Sequence, residues 1–69
     1  IRYQLPVKSW VTLKIYNLLG QEVVTLIDEF QDAGYKSVEW VPRDVASGLF
    51  FYKLSVERFV QVKKMLLIQ

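Results

Sequence analysis

The apolar residues of this chain recur at every second position, and this period constrains the fold more than any other feature. Over residues 9–17, Val11, Leu13 and Ile15 fall on one face and the intervening residues fall on the other. A helix through the same region would have to pass through Gly20 and accommodate many β-branched residues, which disfavour helices. The alternation therefore predicts β-strands.

The same period extends along the chain and predicts an all-β fold. Strands are predicted over residues 1–5, 9–17, 21–27, 35–41, 49–56 and 59–68, with a turn at 17–20 and loops at 28–34 and 42–48. Short strands at roughly ten-residue spacing favour an all-β sandwich or barrel. The small size of the chain favours the sandwich, in which two sheets share one core. The predicted core residues are Tyr3, Leu5, Val11, Leu13, Ile15, Val23, Leu26, Val38, Trp40, Phe50, Tyr52, Leu54 and Met65.

Length and composition exclude several classes of protein. With 69 residues, the chain is one small domain, residues 1–69. It contains no Cys and no His, so it lacks disulfides, thiolate metal sites and the usual general base near neutral pH. We therefore expect neither an enzyme nor a cofactor. The net charge of +2 comes from scattered basic residues, so we expect no nucleic-acid binding. No apolar run is long enough for membrane insertion.

Acidic residues cluster in the predicted loop 28–34. Asp28, Glu29 and Asp32 could together offer oxygen ligands to Ca²⁺ or Mg²⁺. Their spacing does not match the pattern of calcium-binding loops. The sequence therefore favours a solvated loop at this place, and no metal site is predicted.

Other polar residues permit a catalytic interpretation only in principle. Glu22 with Glu39, or Glu57 with Asp44, could act as an acid–base pair. A domain of this size has little room for the deep pocket that such a pair needs. Ser47 has no histidine to activate it, so a serine nucleophile is not expected.

Four aromatic residues leave two interpretations open. Trp10, Phe30, Tyr35 and Phe59 could lie outside so small a core and form a binding surface, because exposed aromatic residues are enriched in interfaces. Alternatively, Trp10 and Phe59 could seal the open ends of the sandwich. The sequence does not decide between the two.

The last residues combine basic and apolar character. Residues 63–69 read KKMLLIQ, and a strand of this kind can pair with another chain if it lies at a sheet edge. The alternative is an ordinary closing strand. The candidate recognition residues are Lys63, Lys64, Met65, Leu66, Leu67 and Ile68.

Five segments in one register resemble a known family. They are IRYQLP (residues 1–6), VTLKIYNLLGQEV (11–23), AGYKSVEW (33–40), VASGLFFYKL (45–54) and KKMLLI (63–68). Together they resemble the type A C-terminal sorting domain of the type IX secretion system. That family is closely similar to the immunoglobulin-like domain of the flagellar hook-capping protein, and the terminal KMLLI favours the sorting domain.

The resemblance implies a fold and a role. The implied fold is a small immunoglobulin-like antiparallel sandwich of six to seven strands. Such domains lie C-terminal to a cargo domain in exported proteins of Bacteroidetes and related bacteria. The parent crosses the inner membrane by an N-terminal signal peptide, and the outer-membrane translocon and its sortase components then act on the folded domain. The cargo becomes secreted or attached to the cell surface, and the sorting domain is commonly cleaved.

The resemblance also assigns residues. The motif positions of the family fall on Gly20, Glu22, Val23, Gly48, Tyr52, Lys64 and Met65. We expect the translocon to recognise the last strand, near residues 63–68, whereas the glycines serve the fold. The family often has Gly-Gly where this chain has Glu57 and Arg58, so a type I turn with a bulge is expected there. A second hypothesis is a structural or adhesive module that resembles the hook cap or contacts carbohydrate. Self-association through strands is a separate expectation.

Overall fold

The segments with period two form strands. The protein is described by a computed structural model that covers residues 1–41, 48–57 and 59–67. The strands are β1 (Arg2–Leu5), β2 (Ser9–Tyr16), β3 (Glu22–Gln31), β4 (Gly34–Ser37), β5 (Gly48–Val56) and β6 (Phe59–Leu67). The described residues contain no helix, and so none that could span a membrane. The prediction of an all-β antiparallel sandwich is confirmed, with six strands.

The strands are divided between two antiparallel sheets of unequal size. The large sheet has the order β3-β2-β5-β6, and the small sheet pairs β1 with β4. Strands β2 and β3 form one hairpin, and β5 and β6 form another. The two hairpins pair with each other through β2 and β5, where Leu13 lies opposite Leu54. The first residue extends the small sheet, because the Ile1 ammonium donates to the Val38 carbonyl at 2.9 Å. The order of the large sheet makes β3 and β6 its two edge strands.

The core lies between the small sheet and the middle of the large one. Leu5 of β1 packs with Val11, Leu13, Ile27 and Leu54 from three strands of the large sheet. Each of these side chains is almost fully removed from water, which stabilises the fold by about 1.5–3 kcal/mol per residue. Because the small sheet has two strands and the large sheet has four, part of the inner face of the large sheet remains uncovered.

Most of the predicted core is confirmed. The predicted residues that are buried are Leu5, Val11, Leu13, Ile15, Phe50 and Leu54. Those that are half-buried are Tyr3, Leu26, Val38, Trp40, Tyr52 and Met65. Trp40 packs edge-to-face against Phe50, with ring centroids 5.2 Å apart, so the indole covers one end of the core.

The prediction for β3 is wrong in one respect. Val23 was expected in the core but is 36% exposed, whereas Ile27 is buried. The register of β3 against β2 shifts twice, once beside Leu26 and once beside Val23. Each β-bulge adds one residue to a strand and therefore changes which residues face inward. Period-two counting through the bulges consequently selects the wrong side chain.

Two predicted boundaries also differ from the structure. Residues 28–31 belong to β3 rather than to a loop, and β4 begins at Gly34 and ends at Ser37 rather than at residue 41. The polar residues that suggested a loop lie on an edge strand, where solvent reaches them. The predicted loop at 42–48 lies, except for Gly48, outside the described residues. Gly48 is the first residue of β5.

The turn between β2 and β3 is built on Asn17. Its side-chain oxygen accepts hydrogen bonds from the backbone N–H groups of Leu19 and Gln21, at 2.9 and 3.0 Å. Its carbonyl oxygen accepts the Gly20 N–H at 3.0 Å. Gly20 has φ of +79°, in the left-handed region that glycine adopts without steric cost. The predicted turn is confirmed.

Gly20→Ala is expected to lower the free energy of unfolding by about 1 kcal/mol, because a Cβ strains the left-handed conformation. No atom lies within 4 Å of the added Cβ, so strain is the only penalty. Gly48→Ala is the matched control, since its Cβ also meets open space and its φ is not in that region. Urea denaturation of both variants measures the difference. Equal effects at the two positions would contradict the assignment of strain to Gly20.

The β5–β6 turn departs from the type I geometry that the sequence suggested. Val56 pairs with Phe59, so two residues connect the strands. The first of them, Glu57, has φ of +51°. A type I turn requires a negative φ there. Two-residue hairpins favour the mirror-image turns because their twist matches that of the strands.

Candidate recognition strand

The predicted recognition residues lie on an edge strand. Lys63–Leu67 form the last part of β6, and Ile68 lies outside the described residues. Among the described strands, β6 has one neighbour, β5, so its other side presents backbone N–H and C=O groups to solvent. Such an edge can accept a further strand from another chain.

The outer face of β6 is exposed and mostly apolar, with Lys64 between Val62 and Leu66. Val60, Val62 and Leu66 point away from the small sheet, and each is more than half exposed. Cross-strand pairing places Leu66 beside Leu49 of β5, which is also exposed. A row of apolar side chains along an exposed edge strand is typical of an interaction surface.

The inner face of β6 is also accessible. Phe59 is 58% exposed, although it lies opposite Val56, which packs against the core. A groove of about 670 Å³ runs between β1 and the β5–β6 hairpin, and Tyr3, Leu54 and Phe59 are among the residues that line it. The groove exists because the small sheet does not extend over β6. The free edge and the outer face of β6, and its inner face at Phe59 and Lys63, are therefore open to a partner.

The basic residues of β6 fall on opposite faces. Lys63 lies opposite Tyr52 on the inner face, and Lys64 lies opposite Phe51 on the outer face. Both lysines are exposed. The β6 sequence contains no acidic residue, so this edge carries positive charge on both faces. A partner strand with carboxylates would complement it.

The other edge of the large sheet carries the opposite charge. Strand β3 contains Glu22, Asp28 and Glu29 and no basic residue. Asp28 lies opposite Thr12 and Glu29 lies opposite Val11, so their carboxylates also point to opposite faces. The acidic group singled out in the sequence, Asp28, Glu29 and Asp32, therefore does not lie on one face of the sheet. No metal-binding group of three such side chains is found within residues 1–41, 48–57 and 59–67.

Two of these carboxylates have partners within the sheet. Lys14 forms an ion pair with Glu22 at 3.1 Å, and this carboxylate raises the pKa of the Lys14 ammonium by hydrogen bonding and by charge. Asp28 accepts a hydrogen bond from the Trp10 indole N–H at 2.9 Å. Glu22 is thus held on the surface of the sheet beside Lys14. The suggested partner of Glu57, Asp44, lies outside the described residues, as does Ser47.

The aromatic residues support the interpretation as surface residues. Trp10 and Phe30 pack edge-to-face on the outer face of the large sheet, 5.1 Å between ring centroids, and both are exposed. Tyr35 is 85% exposed on β4. Tyr3 behaves differently: its hydroxyl donates to the Gln31 side chain, and burial raises its pKa. Trp10 and Phe30 do not belong to the core between the sheets.

The family motif positions are distributed over the sheet. Gly20 lies in the β2–β3 turn, Glu22 begins β3, and Val23 occupies a bulge. Gly48 and Tyr52 are different, because they lie opposite Leu67 and Lys63 of β6. These two positions therefore pair with the candidate recognition residues, as the β5–β6 register requires. The sequence alone did not indicate the groove or the acidic edge.

No protein-family model, curated protein or solved structure matches this chain.

Proposed function

We propose that this chain is a non-catalytic sorting domain of the type IX secretion class, which directs a cargo protein through the outer-membrane translocon. The proposal rests on the five-segment resemblance and on one structural observation. That observation is the accessibility of β6, the strand that carries Lys63–Leu67, along its edge, on its outer face and at Lys63 on its inner face. A signal that is recognised while folded needs an accessible surface of this kind.

The proposed recognition uses strand addition. Backbone groups at an edge provide affinity, and side chains on alternate faces provide selectivity. On β6 the inner face offers Lys63 and Met65, and the outer face offers Val62, Lys64 and Leu66. The translocon component that binds this edge would present an extended segment with apolar and acidic side chains. The domain would take its cargo to the bacterial surface or to the medium.

In an export assay, residues 1–69 fused to the C-terminus of a periplasmic reporter are expected to direct export in a bacterium that has the type IX system. Lys63→Glu with Lys64→Glu reduces export at least about tenfold, because the edge then repels the acidic partner segment. Export is measured as the reporter fraction at the surface and in the medium.

The matched control is Lys8→Glu with Lys36→Glu, which makes the same change of charge away from β6. This control is expected to export normally. Circular dichroism and thermal melts confirm that both variants fold. A folded wild-type fusion that stays in the periplasm would overturn the proposal. So would equal export by the two double variants.

The second candidate is an adhesive module that contacts carbohydrate. The exposed Trp10–Phe30 pair favours it, because the hydrogen bond that the Trp10 indole N–H donates to Asp28 holds the ring on an open sheet face. Export that is unaffected by Trp10→Ala, together with glycan binding that this substitution abolishes, would support this candidate.

A further inference from the structure

The two edges of the large sheet are complementary to each other, which leads to an inference beyond export. We propose that β6 of one molecule pairs with β3 of a second copy, antiparallel and head to tail, so that the large sheet continues from copy to copy. In this contact a second copy of this chain occupies the β6 edge, the same edge that the proposed export function assigns to the translocon. The inference does not depend on the proposed export function.

Charge complementarity is the first argument. The β6 edge carries Lys63 and Lys64 without any acidic residue, and the β3 edge carries Asp28 and Glu29 without any basic residue. All four side chains are exposed. Opposite charges directly across a strand pair are favourable, whereas like charges are unfavourable.

The register is the second argument. The part of β3 that lies beyond both bulges, residues 27–31, is regular. Set antiparallel against residues 61–65 of β6, it places Glu29 opposite Lys63 and Asp28 opposite Lys64. The same register gives the pairs Gln31 with Gln61, Phe30 with Val62, and Ile27 with Met65. One alignment therefore satisfies both charge pairs and matches apolar with apolar and amide with amide.

The faces agree in this register as well. Glu29 and Lys63 lie on the inner faces of their strands, because they lie opposite Val11 and Tyr52, which contribute to the core side. Asp28 and Lys64 both lie on the outer faces, opposite Thr12 and Phe51. Each pair would thus meet on the same side of the continued sheet.

The number of strands supports the same geometry. All neighbours in the order β3-β2-β5-β6 are antiparallel, so β3 and β6 run in opposite directions. A copy displaced sideways without rotation presents a β3 that is antiparallel to β6. In antiparallel ladders, successive residues direct their backbone groups to alternate sides. Asp28 and Lys64 lie on the same face of two edge strands that run in opposite directions. Their backbone N–H and C=O groups therefore either both point out of the sheet or both point toward the neighbouring strand, so the two residues can lie opposite each other in a regular ladder.

Pairing of like edges is disfavoured. If two copies of β6 overlapped fully across Phe59–Leu67, Lys63 would lie opposite Lys63. If two copies of β3 overlapped across residues 27–31, Glu29 would lie opposite Glu29. Both arrangements bring like charges together.

The expected state is an open, head-to-tail series rather than a closed dimer, because the contact is heterologous and leaves one free edge at each end. Self-association should therefore rise continuously with concentration. It should weaken at high ionic strength, since both charge pairs are accessible to solvent.

Charge exchange tests the proposal on the purified chain. Sedimentation velocity from about 10 µM to about 1 mM is expected to show growth of the weight-average mass for the wild type. The β6 variant, Lys63→Glu with Lys64→Glu, has two acidic edges, and the β3 variant, Asp28→Lys with Glu29→Lys, has two basic edges. Each alone should associate at least about tenfold more weakly.

An equimolar mixture of the two variants should associate within about threefold of the wild type, because each basic edge again meets an acidic one. The mixture also controls for folding, since a misfolded variant could not restore association. A wild type that stays monomeric over the whole range would overturn the proposal. Variants that associate as strongly as the wild type would also overturn it, because they would place the contact elsewhere. Export results leave this outcome unaffected.

Discussion

Leu13→Ala is expected to lower the free energy of unfolding by about 2–5 kcal/mol, enough to leave a domain of this size largely unfolded at 37 °C. Leu13 is fully buried in β2 at the centre of the large sheet. It lies between Ile27 of β3 and Leu54 of β5, both of them buried, and the small sheet covers it. Truncation would remove contacts on every side and leave a cavity that these strands cannot close.

Guanidinium or urea unfolding, followed by tryptophan fluorescence, measures the effect. The matched control is Leu19→Ala, which makes the same truncation at a turn residue that is 83% exposed. The control should change the free energy of unfolding by less than about 0.5 kcal/mol. Similar losses at the two positions would contradict the central place of Leu13 in the core.

The alternation of side chains was sufficient to predict most strands. In β2, Val11, Leu13 and Ile15 are all buried, as the period-two pattern requires. This succeeds because β2 is a central strand whose inner face is packed along its length. A strand with one buried face has little choice of register, since a shift by one residue would expose every apolar side chain.

The sequence was less informative where side-chain alternation and backbone pairing diverge. Polar residues 28–31 suggested a loop, but an edge strand tolerates polar residues on both faces. The Val38 and Trp40 alternation suggested a longer strand, but the strand ends at Ser37, while both side chains still turn toward the core. Backbone hydrogen bonds continue only as far as the Ile1–Val38 pair, and Trp40 is half-buried beyond that pair.

The candidate site was predictable in its residues but not in its surroundings. The basic and apolar composition of residues 63–67 was visible in the sequence, whereas the position of β6 depends on the strand order. The pairing of β2 with β5, distant in sequence, leaves β6 and β3 at opposite edges. The contrast between the Lys63 edge and the Glu29 edge therefore emerges only from the topology.

The second large effect is expected within β3, where the bulges decide which residue is buried. Ile27→Ala should lower the free energy of unfolding by about 2–5 kcal/mol, because Ile27 is buried opposite Leu13. Val23→Ala should lower it by less than about 1 kcal/mol, since the register shift beside Val23 leaves its side chain at the surface.

The comparison of Ile27 with Val23 separates the bulged register from a regular one. Both are β-branched residues of the same edge strand, so their strand propensities are similar. In a regular strand without bulges, Val23, Thr25 and Ile27 would all point toward the core, because they lie two residues apart. Both truncations would then lower the free energy of unfolding substantially. Denaturant midpoints of the two variants therefore report on the bulges directly. A loss at Val23 as large as that at Ile27 would show that β3 pairs with β2 in a regular register, without the two bulges.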